Sequence, residues 1–388
     1  MENKSPDRGV KEITEIGKIA RFYGFKPIIP PTITKQDFSQ AKNFEDEGLV
    51  EKIAILRMYF EEKLMGGIQP SMFYCEKPFP GSKERKKPLR LESSLVSIGS
   101  SKSVCECLAI QASISILNTL GYKNLEVHIN SVGDSDSISD FQKKLSVFVK
   151  KNYNTFPAEL RQALKKDICS IIKEQNEEWS SFQNECPKTI DFLSENSRSH
   201  FKEVLEFLEI MEIPYHINNS LISDLNISSG TVFVIKSSED SSTQTGKALA
   251  SGACFNRLAK KMGYKKDLHS CVCNISARLK KSLKKTKVRP LKPQFYLVQF
   301  SPEAKLKSFL ILRELYKAGA NVLHSIAKDK LSNQMGIAEA SGAPYIILIG
   351  QKEALENCVI IRNIANHVQE TVSIPDLAVR AKEIIKGL

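Results

Sequence analysis

The sequence predicts a two-part chain: an α+β domain around an antiparallel sheet, then a smaller α/β domain with a mixed, mostly parallel sheet. Three observations lead there. Strand-length apolar runs in the first 283 residues are separated by long excursions with no strand–helix–strand rhythm, the pattern of an α+β domain. From Phe295 onward, strand and helix signals alternate closely, which implies mostly parallel strands covered by helices. Between them lies Lys284-Lys285-Thr286-Lys287-Val288-Arg289-Pro290-Leu291-Lys292-Pro293. Its prolines disfavour helix and its like charges repel, so it reads as an extended linker. The expected layout is a first domain at 1–283, the linker at 284–293 and a second domain at 294–388.

In the first domain, apolar spacing predicts helices at about 11–23, 50–64, 104–120 and 137–151,. Short apolar runs predict strands at 71–76, 125–130, 231–236, 247–253 and 270–275,. The segment 153–196 is polar and helical in pattern, rich in acids and amides, and reads as an inserted helical unit on the surface. In the second domain, 295–300 is a strand. Ser301-Pro302-Glu303 then supplies an N-cap, a first-turn proline and an early acid,. The helix so opened carries Phe309, Leu310, Leu312 and Tyr316 and stops at Gly319,. A strand at 321–326, a helix at 331–341, a buried strand at 345–349 and a hairpin of 359–362 with 370–374 follow. Pro375 opens the last helix.

The 388 residues are 41% hydrophobic and 26% charged, which is ordinary for a globular chain and excludes wholesale disorder. No window holds 18 uncharged apolar residues, and the first residues have no apolar signal core, so a cytoplasmic protein without a membrane contact is expected. The nine cysteines form no CxxC pair; reduced, mostly buried thiols and no metal site are expected. Net charge is +12, which points to a polyanionic partner. The basic residues cluster in two places. Arg278, Lys280, Lys281, Lys284, Lys285, Lys287, Arg289 and Lys292 form one stretch without an acid, which a solvated linker explains about as well as a nucleic-acid contact. Lys83, Arg85, Lys86, Lys87 and Arg90 form the other. No Ser/His/Asp or Cys/His set emerges among the six histidines, and Gly246, Gly252 and Gly263 are too dispersed for a phosphate loop,.

Several segments, taken in order, resemble histidyl-tRNA synthetase, a class II aminoacyl-tRNA synthetase. Residues Ala20 to Pro31, reading ARFYGFKPIIPP, resemble the family's motif 1 at the dimer interface. FYCEKP at Phe73 to Pro78 stands where a motif 2 Phe-Arg-x-Glu-x-Pro belongs. GYKNLEVHINSVGD, from Gly121 to Asp134, is close to a typical family stretch. Leu221 to Phe233 replaces Leu-Val-Arg-Gly-Leu-Asp-Tyr-Tyr-Thr-Gly-Thr-Val-Phe. SGAPYIILIGQKE, from Ser341 to Glu353, looks like the anticodon-binding domain. The resemblance covers nearly the whole chain. It implies a class II synthetase-like catalytic core, an anticodon-binding-type domain and a homodimer.

The departures from that pattern bear on function. Activating an amino acid on ATP requires fixed cations for the charge building on phosphorus, and acids for magnesium and the amino group. Where the family has the motif 2 arginine stands Tyr74. The arginine, aspartate and tyrosines of Arg-Gly-Leu-Asp-Tyr-Tyr become Ser223, Asn226, Ile227 and Ser228. In Gly-Gly-Arg-Tyr-Asp, arginine and aspartate become Cys254 and Asn256, and the motif 3 glutamate becomes Ala277. Glu76, Glu106 and Arg278 match family positions and would line a vestigial ATP and substrate pocket. Losing one preorganised charge partner costs about 10²–10³ in rate.

The resemblance with these losses implies a synthetase-like paralogue without aminoacylation, binding tRNA or another structured RNA, with no cofactor. The RNA contacts expected are Lys280, Lys281, Lys284 and Lys285 in the basic stretch. Gln334, Glu339, Lys352, Glu353 and Arg362 are expected on the exposed face of the second domain. One alternative is a divergent but active histidine–tRNA ligase using ATP and magnesium. A second is a regulatory subunit of an ATP phosphoribosyltransferase, against which stand the retained second domain and the lost histidine-site residues.

Overall fold

The eight-stranded sheet of the first part is built from strands whose successive side chains face opposite layers, as the two-residue repeat of extended chain requires. The protein is described from a computed structural model over residues 10–42, 44, 48–67, 69–83, 89–173, 180–238, 248–280, 282–288 and 292–388. Lys281, Arg289, Arg85, Lys86, Lys87 and Gly246 lie outside the described residues.

In spatial order the sheet runs Lys26–Pro27, Ser71–Glu76, Arg90–Ile98, Ser270–Arg278, Ala250–Cys254, Ser229–Ser237, Leu125–Ser131 and Tyr215–Ile217. All pairings are antiparallel except the two outermost. One face carries Tyr74, Leu91, Leu95, Cys273, Ile275 and Ala277 and packs on helices Glu15–Phe22, Val104–Thr119 and Glu195–Ile210. The other carries Phe73, Cys75, Val96 and Val272 and packs on helix Leu49–Glu61 and the helices of the 153–196 segment. That segment is therefore more than a surface addition. Phe156, Leu160, Ile171 and Cys186 are buried in the same core as the sheet.

Two central elements were not foreseen. Strand Arg90–Ile98 reads RLESSLVSI, mixing apolar residues with three serines and two charges, so its apolar signal is weak although it pairs on both sides. Helix Glu195–Ile210 packs Phe201, Val204, Phe207 and Leu208 inward. The expected helix at 11–23 is split: Glu12–Thr14 is a strand, and the helix starts after Thr14, whose hydroxyl accepts from the Gly17 N–H at 3.1 Å. That strand pairs antiparallel with Lys285–Lys287, so the basic segment read as a linker is extended and tied to the N-terminal strand.

The second part holds a five-stranded mixed sheet in the order Val322–His324, Phe295–Gln299, Tyr345–Ile349, Cys358–Asn363, Gln369–Ser373. The first two pairings are parallel and the last two antiparallel, the hairpin supplying the latter. Helices Pro302–Lys317 and Leu377–Lys386 join the helical core of the first part, with Phe207 and Phe309 ring centroids 4.7 Å apart. Ser301 caps the first of these through a bond from the Ala304 N–H at 3.0 Å. No helix among the described residues is long and apolar enough to cross a membrane.

Candidate ligand cleft and the pocket beside it

An open cleft of about 580 Å³ lies over the sheet face opposite the helical core, lined by Lys52, Lys77, Arg90, Glu92, Ser223 and Phe255, among others. Arg90 donates to Ser276 Oγ from Nε at 3.0 Å and from Nη2 at 2.8 Å, and its Nε lies 3.4 Å from Glu92 Oε1. Lys52 Nζ sits 3.8 Å from the Phe255 ring centroid, a cation–π contact that keeps the charge at the wall. The Lys77 ammonium and the Glu51 carboxylate converge on Gly48: a Cβ there would stand 3.5 Å from Lys77 Nζ and 3.6 Å from Glu51 Oε2. Ser223 Oγ is buried without a hydrogen bond among the described residues. Among the described residues the cleft is thus a cationic surface with one lining acid, Glu92, which faces Arg90.

A second cavity, about 400 Å³, opens at the strand ends beside the first turn of helix Val104–Thr119. Glu106 is at its centre and buried. Its Oε2 lies 2.6 Å from His200 Nε2, and its Oε1 accepts from the Cys254 thiol at 2.8 Å. The first-turn position favours the carboxylate through the helix dipole. The Glu106 charge, working against burial, raises His200 above the ordinary histidine value. Cys254 is driven the other way from reactivity. The neighbouring Cys271 thiol, burial and Glu106 all hold it well above the usual thiol range, so Cys254 rests as a thiol and not as a thiolate.

The residues singled out from sequence are scattered by this geometry. Among the replaced positions, only Ser223 lines the cleft. Tyr74 belongs to the helix-packed core, and its hydroxyl points to Glu76 Oε1 at 3.4 Å. Glu76 also accepts from Thr14 Oγ1 at 3.1 Å, so it stands by the N-terminal strand and not in the cleft. Asn226 is exposed and folded back on Asp224 Oδ1 at 2.9 Å. Cys254 and Asn256 line the second cavity, and Ala277 is buried under the helices. Arg278 is exposed at a strand end, its backbone bonded to the Tyr122 hydroxyl. The expected vestigial pocket of Glu76, Glu106 and Arg278 is therefore not one site: strand alternation and the helix position send the three to separate places.

Of the expected RNA contacts, Lys280, Lys284, Lys285, Glu339 and Lys352 are exposed, and Lys281 lies outside the described residues. Glu353 caps its own helix, accepting from the Gly350 N–H at 2.9 Å. Arg362 is partly buried, with Nη2 3.2 Å from His367 Nδ1. Gln334 corrects the expectation of an exposed face: it is fully buried. Its Oε1 accepts from the Gln299 N–H at 3.1 Å, and its Nε2 donates to the Gln299 and Lys328 carbonyls at 2.6 and 2.9 Å.

Sequence reasoning missed Lys52, Lys77, His200 and Cys271 as site residues. Lys77 stood inside the motif 2-like segment and carried a readable signal. His200 had none, since its partner is 94 residues away. Among the described residues no group of three or more His, Cys, Asp or Glu side chains is placed to hold a metal ion.

Comparison with known proteins shows what the chain is similar to. Residues 294–384 match the model described as "Anticodon binding domain". The histidine–tRNA ligase of Halothermothrix orenii is 24% identical over 95% of this chain and 93% of its own length. The chloroplastic histidine–tRNA ligase of Pyropia yezoensis is 25% identical over 96% of this chain and 84% of its own. Histidyl-tRNA synthetase from S. aureus shares the fold at a TM-score of 0.53 and 20% identity, covering 94% of this chain and 93% of that one. The fold is that of a class II synthetase-type core with an appended anticodon-binding-type domain. The chain is histidyl-tRNA synthetase-like.

Proposed function

We propose that this chain binds tRNA or another structured RNA, as a cytoplasmic homodimer, without activating histidine. The observation that carries the second half is the acid count of the cleft. Activation needs carboxylates free to hold magnesium and the substrate amino group while cations meet the phosphate. Among the described residues Glu92 is the one acid lining the cleft, and it faces Arg90 at 3.4 Å. Such a donor set does not fit magnesium–ATP, and no step is assigned to it.

The first half draws support from the anticodon-binding match at 294–384. Exposed Lys280, Lys284 and Lys285 beside that domain also support it, because lysines near a phosphate backbone release counterions. Phosphate contacts from this segment position an RNA, and base contacts on the second domain would supply its selectivity. Domain limits of 1–283 and 294–388, with 284–293 between them, follow from the same reading.

One observation favours a second reading, a divergent but active ligase: Lys52, Lys77 and Arg90 keep the cleft cationic. Histidine-dependent exchange of pyrophosphate into ATP separates the two. The expected rate equals that of a blank without histidine, and exchange that rises with histidine rejects the silent reading. RNA binding is tested by titrating tRNA at several salt concentrations. Changing Lys280, Lys281, Lys284 and Lys285 to Ala is expected to lower the slope of log affinity against log salt by about 3. An unchanged slope removes this segment from the contact.

A further inference from the structure

Cys254 and Cys271 stand directly opposite each other across two antiparallel strands. The next pair outward is Phe255 and Ser270, where the Phe255 N–H donates to the Ser270 carbonyl at 2.7 Å. Hydrogen-bonded and non-hydrogen-bonded pairs alternate along such a ladder, so Cys254 and Cys271 form a non-hydrogen-bonded pair. Cα atoms in pairs of that kind are about 4.5 Å apart with their side chains on one face. A disulfide spans Cα separations of about 4.4–6.8 Å. Both thiols are free and both line the 400 Å³ cavity. Gly230 keeps the approach open. It has φ +70°, and a Cβ there would stand 3.9 Å from Cys254 Cβ and 4.0 Å from Glu106 Oε1.

We propose that Cys254 and Cys271 are a redox modification site, closed to a disulfide by hydrogen peroxide, with Glu106 the base for the closing step. Cys254 is held as a thiol by its bond to Glu106, so Cys271 reacts first. Its proton leaves to solvent, its sulfur attacks peroxide and the O–O bond breaks. The products are a sulfenic acid on Cys271 and a hydroxide that is protonated to water. Cys254 then passes its thiol proton to Glu106 Oε1 as its sulfur attacks the sulfenic sulfur. The S–O bond breaks, and the departing hydroxide takes that proton from Glu106. Two thiols and one peroxide give one disulfide and two waters, with two electrons passing from sulfur to oxygen. Closure removes the thiol donor from Glu106 Oε1 and leaves the carboxylate to His200 and Thr231, whose hydroxyl lies 3.4 Å from Oε2.

The test uses the reduced full chain. It is exposed to hydrogen peroxide, quenched in denaturant with N-ethylmaleimide, digested without reductant and mapped by mass spectrometry. The expected product is a Cys254–Cys271 cross-linked peptide, with the other cysteines alkylated. Full alkylation of both, or a cross-link from either one to Cys105, which lines the same cavity, overturns the proposal. Cys254→Ser is expected to stop at a sulfenic acid on Cys271 that dimedone traps; no trapped adduct there overturns the order of attack. Glu106→Gln, checked for folding by circular dichroism, is expected to slow closure at least about tenfold while sulfenic acid forms at the wild-type rate. Closure at the wild-type rate removes Glu106 from the step. The mapping of the unmodified chain decides the pairing even where a variant fails to fold.

Discussion

The cleft and the smaller cavity share the strand Ala250–Cys254, yet one presents lysine and arginine charges and the other gathers a buried acid with a histidine and a thiol. The five residues Gly252 to Asn256 show how this arises. Ala253 and Phe255 line the cleft, while Cys254 and Asn256 line the cavity. A contiguous signature read as one site is divided between two by the alternation of extended chain. In the cavity, Glu106 meets His200 and the Cys254 thiol. The difference predicts that the Glu106 cluster of the cavity contributes more to folding stability than the ammonium charges of the cleft.

The largest effect that would break this contrast is expected at Glu106. Replacing it with Ala removes the buried acid that receives both His200 and Cys254. Breaking a buried pair costs about 3–5 kcal/mol. His200 keeps a quarter of its side chain exposed, so solvent screening brings the expected loss to about 2–3 kcal/mol. Urea denaturation of the variant measures it. A loss under about 1 kcal/mol would put the cavity in the same class as the cleft.

Gln334 comes next and extends the contrast to the second domain. Gln334→Ala removes the side-chain partner of the Gln299 N–H and carbonyl, while the Lys328 carbonyl still accepts from Gln299 Nε2 at 2.8 Å. The expected loss is about 2 kcal/mol, with RNA affinity per folded molecule unchanged. Weaker binding at full folding would return this residue to the RNA-facing set.

How much of this was legible in the sequence depended on the signal each element carries. The second domain read well because its strands are continuous apolar runs, such as Tyr345–Ile349, and its first helix announces itself with Ser301 and Pro302. Ser71–Glu76 was readable for the same reason. Arg90–Ile98 was not, since five of its nine positions are polar: Arg90 and Glu92 on the cleft side, and the buried serines Ser93, Ser94 and Ser97, of which Ser94 donates to Asn274 Oδ1 at 2.7 Å. Site residues followed a different rule. Lys77 could be found because it sat in a recognisable segment, but the Glu106–His200 pair is made by two helices whose approach no local pattern encodes.

A smaller effect is expected in the pH dependence, and it also separates the two places. The Glu106 carboxylate raises His200 above 6.5 in the folded chain, with burial opposing and Glu203 adding to the rise. The folded state thus holds this proton more tightly than the unfolded state. The contribution is fully present below pH about 6.5 and is lost as pH rises through the folded value. For a partly exposed histidine it amounts to about 1 kcal/mol. Stability of the wild-type chain minus that of His200→Gln is expected to fall across that window. A flat difference would mean that the pair carries no net charge interaction.

The smallest effect is the sharpest test of the cleft. Lys77 is partly exposed and shares the neighbourhood of Gly48 with the buried Glu51, its own ammonium remaining open to solvent along the cleft. Lys77→Met keeps the apolar stem and removes only the ammonium. A charge in contact with water contributes little to folding because solvent already stabilises it. The expected change in stability is within about 0.5 kcal/mol. Binding is another matter. A polyanion entering the cleft would meet Lys52, Lys77 and Arg90 together, and removing one of three converging cations weakens such binding by about tenfold. Pyrophosphate, titrated against the thermal midpoint of both proteins, reads both quantities at once. Should Lys77→Met lower the midpoint without pyrophosphate by as much as Glu106→Ala does, the cleft would prove to be as tightly built as the cavity, and the distinction between them would fail.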